Sequence, residues 1–350
     1  MDCNLLKFEI KKIAICNNNG DLTKHYDVNI DDLLRLYKVM SLIRVFDKKA
    51  ISLHRHGKIG TFPSSYGQEA IYSTIGLLMT KEDILCPYYR DHAALYMRGV
   101  KLSEILLYWS GDERGNKYQN NNCDMPVCVP IASQCLHACG IAYAIKLQKK
   151  NNAVIVTLGD GASSKGDFYE AINFAGIYKL PVIFVINNNK WAISTPLDKQ
   201  TAATSLAQKA IAAGIEGIIT DGNDIFSLHK VLSDALNKAY KDGGPTVIEA
   251  QTYRLCDHTS VDDASTYADI SIRNDAAKKE PLIRLKKYLQ KNKLISSDFE
   301  DELEKEIKNE IAEELANFNN YPQPLHRDAY VHTYSEQRNL EKIENIDAAN

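Results

Sequence analysis

The chain has 350 residues, 45% of them apolar, with 42 basic and 45 acidic side chains and a formal net charge of −3. That apolar share supports a sizeable core and excludes a wholly disordered chain. Charge this small and well mixed gives no support to nucleic acid or a membrane surface as a partner, and no apolar run approaches the roughly 18 residues of a membrane helix.

The opening stretch MDCNLLKFEIKK lacks a signal-peptide core and is too acidic and lysine-based for a transit peptide, so a cytoplasmic protein is expected. Residues 1–30 read as an N-terminal arm. A main domain follows over 31–275, and a helical region over 276–350 packs on that domain or on a partner subunit. Asp31 or Asp32 is expected to cap a helix running to about His56, with Leu33, Leu34, Tyr37, Met40 and Leu42 at apolar spacing. A loop over 57–70 feeds a second helix. Residues 84–99 read as a short strand, a turn and a helix, 109–127 as a polar loop, and 133–148 as an apolar helix. The CLHAC run inside that helix, Cys135 to Cys139 around His137, offers a metal pattern. The apolar run continuing from it favours plain packing. The eight cysteines form no C-x-x-C pair and read as reduced thiols.

From residue 153 the pattern becomes strand, helix, strand. AVIVTL (153–158) and PVIFVI (181–186) are buried-strand runs, and 166–179 between them is helical, with Phe168, Ile172 and Ala175 on one face. Residues 216–221 and 245–253 are further strands around a helix at about 224–241. Such alternation implies an α/β fold, a mainly parallel sheet with helices on both faces. Right-handed crossovers place the loops at 159–165 and 187–194 at one carboxyl edge, where open α/β sheets bind ligands. The polar, helix-poor segment 254–271 is expected to be mobile. Beyond 278 the chain is helical and charged, with an amphipathic stripe of Phe299, Leu303, Ile307, Ile311 and Leu315.

Asp160, between two glycines, follows the first of these strands, and the run Asn187, Asn188, Asn189 follows the next. A carboxylate oxygen, an amide oxygen and the Trp191 backbone carbonyl suit a hard cation such as magnesium. One carboxylate is too little charge for a cage of protein alone, so a phosphate-bearing ligand is implied. The helix starting near Gly166 turns free N–H groups toward the same place. GASSKG (161–166) has the two glycines of a P-loop but not its Lys-Ser/Thr, and the third glycine of the dinucleotide fingerprint comes two residues late.

Gly-Asp-Gly, some thirty residues, then Asn-Asn resembles the thiamine diphosphate motif. The wider chain resembles the alpha subunit of the decarboxylating component of 2-oxo acid dehydrogenase complexes. The likeness runs from AISLHRHGKIG through YGQEA, YYRD, GDGASSKGDFYEAINFAG, NNNKWAISTP and GNDIF to QTYRLCDHTSVDD. It implies a thiamine diphosphate-binding fold, with Asp160, Asn189 and the Trp191 carbonyl as magnesium ligands and Gly161 and Ala162 as backbone donors to the diphosphate. Tyr89 and Arg90 would grip the diphosphate, Ile131 and Ser133 would touch the aminopyrimidine, and His258 would stand beside the cofactor as the catalytic histidine. In some relatives a potassium ion sits at the positions of Cys128, Pro130, Ser133 and Gln134, where Cys128 replaces a usual oxygen donor.

The implied activity is oxidative decarboxylation of a 2-oxo acid, pyruvate first, with the acyl group passed to the lipoyl arm of an acyltransferase component. Branched-chain 2-oxo acids and acetoin are the alternatives on the same scaffold. A transketolase-like enzyme and an inactive assembly subunit are the readings from other classes. The resemblance also implies a beta subunit supplying a glutamate to the aminopyrimidine, in a heterotetramer of two alpha and two beta chains. The chain departs from the family at Cys256-Asp257, where many relatives have a second histidine. Thr259 replaces a regulatory phosphoserine and Ala268 a usual arginine, so no control by the mitochondrial kinase is expected. Thr61, beside Phe62, replaces an aromatic residue of the substrate pocket.

Overall fold

The computed structural model describes residues 8–121, 123–325 and 328. Its elements begin with β1 (Lys11–Ile13), α1 (Ile30–Arg55), α2 (Glu69–Leu78), β2 (Ile84–Cys86), α3 (His92–Met97), α4 (Leu102–Trp109) and α5 (Ser133–Leu147). Next come β3 (Val154–Gly159), α6 (Gly166–Tyr178), β4 (Val182–Asn188), the hairpin of β5 (Trp191–Ala192) and β6 (Thr195–Pro196), α7 (Leu197–Gln200) and α8 (Lys209–Ala212). The chain continues through β7 (Glu216–Asp221), α9 (Ile225–Tyr240), β8 (Thr246–Gln251), α10 (Ile270–Ala277), α11 (Pro281–Lys291) and α12 (Ser297–Asn319).

Six strands pair in the order β1-β7-β8-β4-β3-β2, every pair parallel. Strand side chains alternate between faces, so each central strand feeds two apolar layers. Ile155, Ile183, Val185 and Ile248 join a core with α1, α2 and α9. Val154, Val156, Phe184 and Val247 join a second core with α5 and α6. Burial on both faces explains why β3 and β4 read as unbroken apolar runs. Among the described residues no helix is long and apolar enough to cross a membrane.

Several details differ from the sequence reading. The cap of α1 is Asn29, whose Oδ1 accepts from the Asp31 amide at 3.0 Å. Asp31 and Asp32 lie in the first turn, where their charge suits the helix dipole. Residues 102–109, unassigned by pattern, form α4. The Glu104 carboxylate folds back to the Lys101 amide at 2.8 Å and buries Leu102, Ile105, Leu106 and Leu107. In the CLHAC run Cys135 and Cys139 face the core while His137 is exposed, so the three share no site. The seven cysteines among the described residues are free thiols.

The ends of the chain fold onto the sheet. Residues 11–13, read as part of an arm, are the edge strand, with Lys11 opposite Ile218. Asp224 fixes the following turn. One carboxylate oxygen accepts from the Ile15 and Cys16 amides at 2.7 and 2.8 Å, the other from Phe226 and Ser227 at the start of α9. At the other end, Leu303, Ile307 and Ile311 of the α12 stripe are buried in the core shared with α1, and Phe299 and Leu315 pack against it. The Tyr37 and Tyr96 hydroxyls donate to Glu300 and Glu310 at 2.8 and 2.6 Å, tying α12 to α1 and α3. Apart from Asp328, the helical region beyond residue 325 lies outside the described residues.

Asp224 is fully buried and serves four amides at once, so its removal strands donors that no water reaches. Asp224→Ala is expected to lower unfolding stability by about 3 kcal/mol in urea denaturation, through the lost cap and the unpaired amides. A loss below about 1 kcal/mol would contradict this role.

Candidate active site

Parallel pairing sets the site. Gly159 of β3 lies opposite Asn187 of β4, so Asp160 emerges level with Asn188 and Asn189 one step further on. Adjacent strands lie about 4.8 Å apart, which brings the carboxylate and the amide to one rim. Beside them β2 ends and delivers Tyr88, Tyr89 and Arg90, and β8 ends and delivers the segment carrying Arg254 and His258.

A cavity of about 440 Å³ opens at this rim. Its walls include Tyr89, Arg90, Ile131, Asp160, Gly161, Ala162, Asn189, Trp191 and His258, nine of the ten residues singled out from sequence. Ser133 is not in the wall. Ala132 takes a left-handed φ of 67° and the chain turns into α5, so Ala132 and Gln134 line the cavity instead. Cys128 also lines it, but its thiol donates to the Pro130 carbonyl at 3.3 Å, and the Ser133 amide donates to that same oxygen at 3.2 Å. Phe62 lies in the core, stacked on His92 at 4.9 Å, and Thr61 is exposed, so neither forms this wall.

The oxygen donors are held in fixed senses. Asp160, 1% exposed, accepts from Gln200 Nε2 on Oδ2 at 2.8 Å. Burial pushes its carboxyl above the ordinary range, opposed by that hydrogen bond and by the charges of Arg254 and Lys190. Asn189 Oδ1 accepts from the Trp191 amide at 3.2 Å, and its Nδ2 donates to Gln68 Oε1 at 3.1 Å. The Lys209 ammonium donates to the Ser163 carbonyl and hydroxyl at 2.7 and 3.0 Å, bracing the single 3₁₀ turn 161–164 that presents Gly161 and Ala162.

This donor set fits a magnesium–diphosphate pair. It offers a carboxylate, a carboxamide and a backbone carbonyl, oxygen donors short of a complete cage. The buried Arg90, its Nε unpartnered, lines the same cavity. No group of three His, Cys, Asp or Glu side chains able to hold a metal occurs among the described residues. Gly161 permits a close approach, since a Cβ there would meet the Ala192 Cβ at 2.6 Å.

Arg90 is 1% exposed and donates from Nη1 to the Ser64 carbonyl at 2.7 Å and from Nη2 to the His258 carbonyl at 2.7 Å. His258 Nδ1 lies 3.0 Å from Arg90 Nη2 and 3.4 Å from Arg254 Nη1. Guanidinium groups only donate, so Nδ1 must accept and the ring proton sits on Nε2. Burial, then the Arg90 and Arg254 charges, drive the ring's pKa down to about 3.

The segment 254–271, expected to be mobile, is tied down. Arg254 Nη2 reaches the Ile193 carbonyl at 2.7 Å and the Tyr267 hydroxyl at 2.6 Å. The His258 amide donates to Asp262 at 2.7 Å, Tyr267 donates to the same carboxylate, and the Ser260 amide donates to the Phe62 carbonyl at 2.9 Å. Gln68, Gln200, Lys209 and Arg254 are the site residues that sequence reasoning missed. Gln68 and Arg254 had a signal, their places in YGQEA and QTYRLCDHTSVDD.

A parallel α/β sheet with an acid, an amide, an arginine and a histidine around one cavity at its carboxyl edge defines an enzyme that binds a diphosphate cofactor. The family described as Dehydrogenase E1 component matches residues 37–326, and the chain belongs to that family, whose members depend on thiamine diphosphate. It is similar to the pyruvate dehydrogenase E1 component subunit alpha of Staphylococcus aureus strain Mu50, at 39% identity over 309 residues, 87% of this chain and 83% of the relative. The subunit of the same name from Staphylococcus epidermidis strain ATCC 12228 is 38% identical over the same share.

His258 is expected to stay neutral from pH 8 to pH 5 in the free chain. Its folded pKa lies below the unfolded value of about 6.5, so the histidine lowers stability as pH falls from there toward 3. Ring NMR shifts check this. Flat His258 resonances above pH 5 are expected, and a midpoint above pH 5.5 would contradict the two-guanidinium geometry.

Proposed function

We propose that this chain is the alpha subunit of a thiamine diphosphate-dependent pyruvate dehydrogenase. It decarboxylates pyruvate oxidatively and passes the acetyl group to a lipoyl-bearing acyltransferase component. The observation that carries this reading is the meeting of Asp160, Asn189, Trp191, Arg90 and His258 at one cavity. Relatives named for pyruvate favour that substrate over branched-chain 2-oxo acids and acetoin. The intact set of donors argues against an inactive assembly subunit.

When bound, thiamine diphosphate supplies the electron sink for loss of carbon dioxide and the carrier for the acyl unit. The chain's residues then have separable tasks. Asp160, Asn189 and the Trp191 carbonyl hold magnesium. Gly161 and Ala162 donate backbone N–H groups to the diphosphate, and Tyr89 and Arg90 close over it. A planar guanidinium suits that contact. Ile131 packs against the aminopyrimidine. His258 keeps its proton on Nε2 and donates it as a hydrogen bond toward the keto acid, which orients the substrate carboxylate or oxygen in the cavity. No potassium ion enters this reading, because the Pro130 carbonyl is engaged by Cys128 and Ser133.

The remaining half of the site comes from the beta subunit that an alpha subunit implies. The proposed assembly is a heterotetramer of two alpha and two beta chains with a cofactor at each alpha–beta interface. The beta chain supplies the glutamate that hydrogen-bonds the aminopyrimidine.

The test is reconstitution. The chain alone should release no carbon dioxide from pyruvate, and the chain with its beta partner, thiamine diphosphate and Mg²⁺ should turn over. Asp160→Ala in that assembly should lose roughly 100-fold or more in kcat/KM, since even residues behind a metal ligand cost about 10–100-fold. Turnover by the chain alone, or a near wild-type Asp160→Ala enzyme, would refute the proposal.

A further inference from the structure

Gln68 stands behind the rim of the cavity and outside its lining, at the N-terminus of α2. It is 0% exposed, on a chain whose glutamines are otherwise mostly surface residues by type. Its Oε1 accepts from Asn187 Nδ2 at 2.7 Å and from Asn189 Nδ2 at 3.1 Å. One carbonyl oxygen therefore gathers the amino ends of two neighbouring amides.

An amide is nearly symmetric in shape and opposite in chemistry at its two ends. A metal ligand needs the oxygen end, because a carboxamide nitrogen carrying two hydrogens has no lone pair to offer a hard cation. The sense of Asn189 is therefore a functional variable. Two groups set it in the same direction. The Trp191 backbone N–H can only donate, and it takes Oδ1 at 3.2 Å. Gln68 Oε1 can only accept, and it takes Nδ2. Asn187 holds Gln68 in its own sense, because its Nδ2 donates to the same Oε1 and also contacts the Tyr72 and Tyr88 hydroxyls, the latter at 3.0 Å.

We infer that Gln68 is a positioning residue for the cation site, setting the Asn189 amide with its oxygen toward the ion. The inference rests on the reading of Asn189 as a magnesium ligand. It explains why a fully buried glutamine is retained with its Nε2 unpartnered. Its oxygen has two obligatory donors to serve, and the amino group is what the side chain must carry to offer that oxygen without a charge. A methionine would fill the same space and remove the oxygen that accepts from both asparagine amino groups.

The experiment uses the assembled alpha–beta heterotetramer with saturating thiamine diphosphate. It reads the Mg²⁺ concentration for half-maximal cofactor binding, followed by protein fluorescence, and repeats the titration with Mn²⁺ by electron paramagnetic resonance. Gln68→Met is expected to raise that concentration roughly 10–100-fold, as for other residues that orient metal ligands. The same substitution on an Asn189→Asp background is expected to change it less than about 3-fold, because a carboxylate offers oxygen at both ends and its sense no longer matters.

A merely structural role would give equal losses on both backgrounds, and that result would overturn the inference. So would a Gln68→Met enzyme whose metal requirement stays within about 2-fold of wild type. Should the methionine variant fail to assemble, Gln68→Asn must show the same loss on the Asn189 background, since it withdraws the carbonyl by one methylene while keeping the site polar. Wild-type metal binding there would equally overturn the inference. A wild-type heterotetramer that binds no cofactor at any Mg²⁺ concentration would overturn the proposed function itself, and this inference with it.

Discussion

Everything at the carboxyl edge depends on the in-register parallel pairing of β3 and β4. Gly159 opposite Asn187 is a backbone fact, set by hydrogen bonds along six consecutive residue pairs. A slip of one residue would turn every side chain of a strand to the other face and move Asp160 off the level of the asparagines. The register is protected because both faces of these strands are buried. Ile155 and Val185 are committed to one core and Val156 and Phe184 to the other. Packing far from the cavity thus fixes the spacing of the two oxygen donors inside it.

A rim built this way must bury polar groups, and the structure satisfies them in layers. Beneath the cavity, Glu249 of β8 accepts from Asn188 Nδ2 at 2.6 Å and from the Leu206 and Ala207 amides at 2.7 and 3.0 Å. That carboxylate anchors the loop leading to α8 and Lys209. Beside it, Thr157 of β3 donates to Asp91, while the Tyr88 amide donates to Thr157 Oγ1 at 3.2 Å, so the segment bearing Tyr89 and Arg90 is bolted to the central strand. On the far wall Arg254 joins the β5–β6 hairpin to the histidine segment through Ile193 and Tyr267. Buried networks of this kind hold a site rigid when every member is partnered. Of the buried atoms left without partners, Arg90 Nε and Gln134 Oε1 belong to residues that line the cavity, where a polar ligand would bind.

Much of this was legible in the sequence, for specific reasons. The strands AVIVTL and PVIFVI announce themselves because a strand buried on both faces has no polar interruption. The glycines around Asp160 and the asparagine run mark strand ends where helix or strand cannot continue. Nine of the ten chosen residues share the cavity; Asp160, Asn189 and Trp191 follow from that pattern, and Tyr89, Arg90, Ile131, Gly161, Ala162 and His258 from the family resemblance. Ser133 does not, because a left-handed turn at Ala132 is invisible in residue types. β1 was missed as a strand because an edge strand of three residues has too short a pattern to detect. Gln68, Gln200 and Lys209 act through pairs separated by 40 to 121 positions in the chain, as Gln68 does with Asn189 and Gln200 with Asp160. Only the folded arrangement reveals such pairs. The same holds for the depressed pKa of His258, which burial and then the charges of Arg90 and Arg254 produce.

The central claim is that one ion joins the donors of this cavity to a diphosphate. The most direct measurement is the anomalous difference map of a crystal of the alpha–beta assembly grown with thiamine diphosphate and Mn²⁺ in place of Mg²⁺. The account predicts one peak within roughly 2.5 Å of Asp160, Asn189 Oδ1 and the Trp191 carbonyl together. A peak elsewhere, or density showing Asn189 turned nitrogen-first toward the ion, would contradict it.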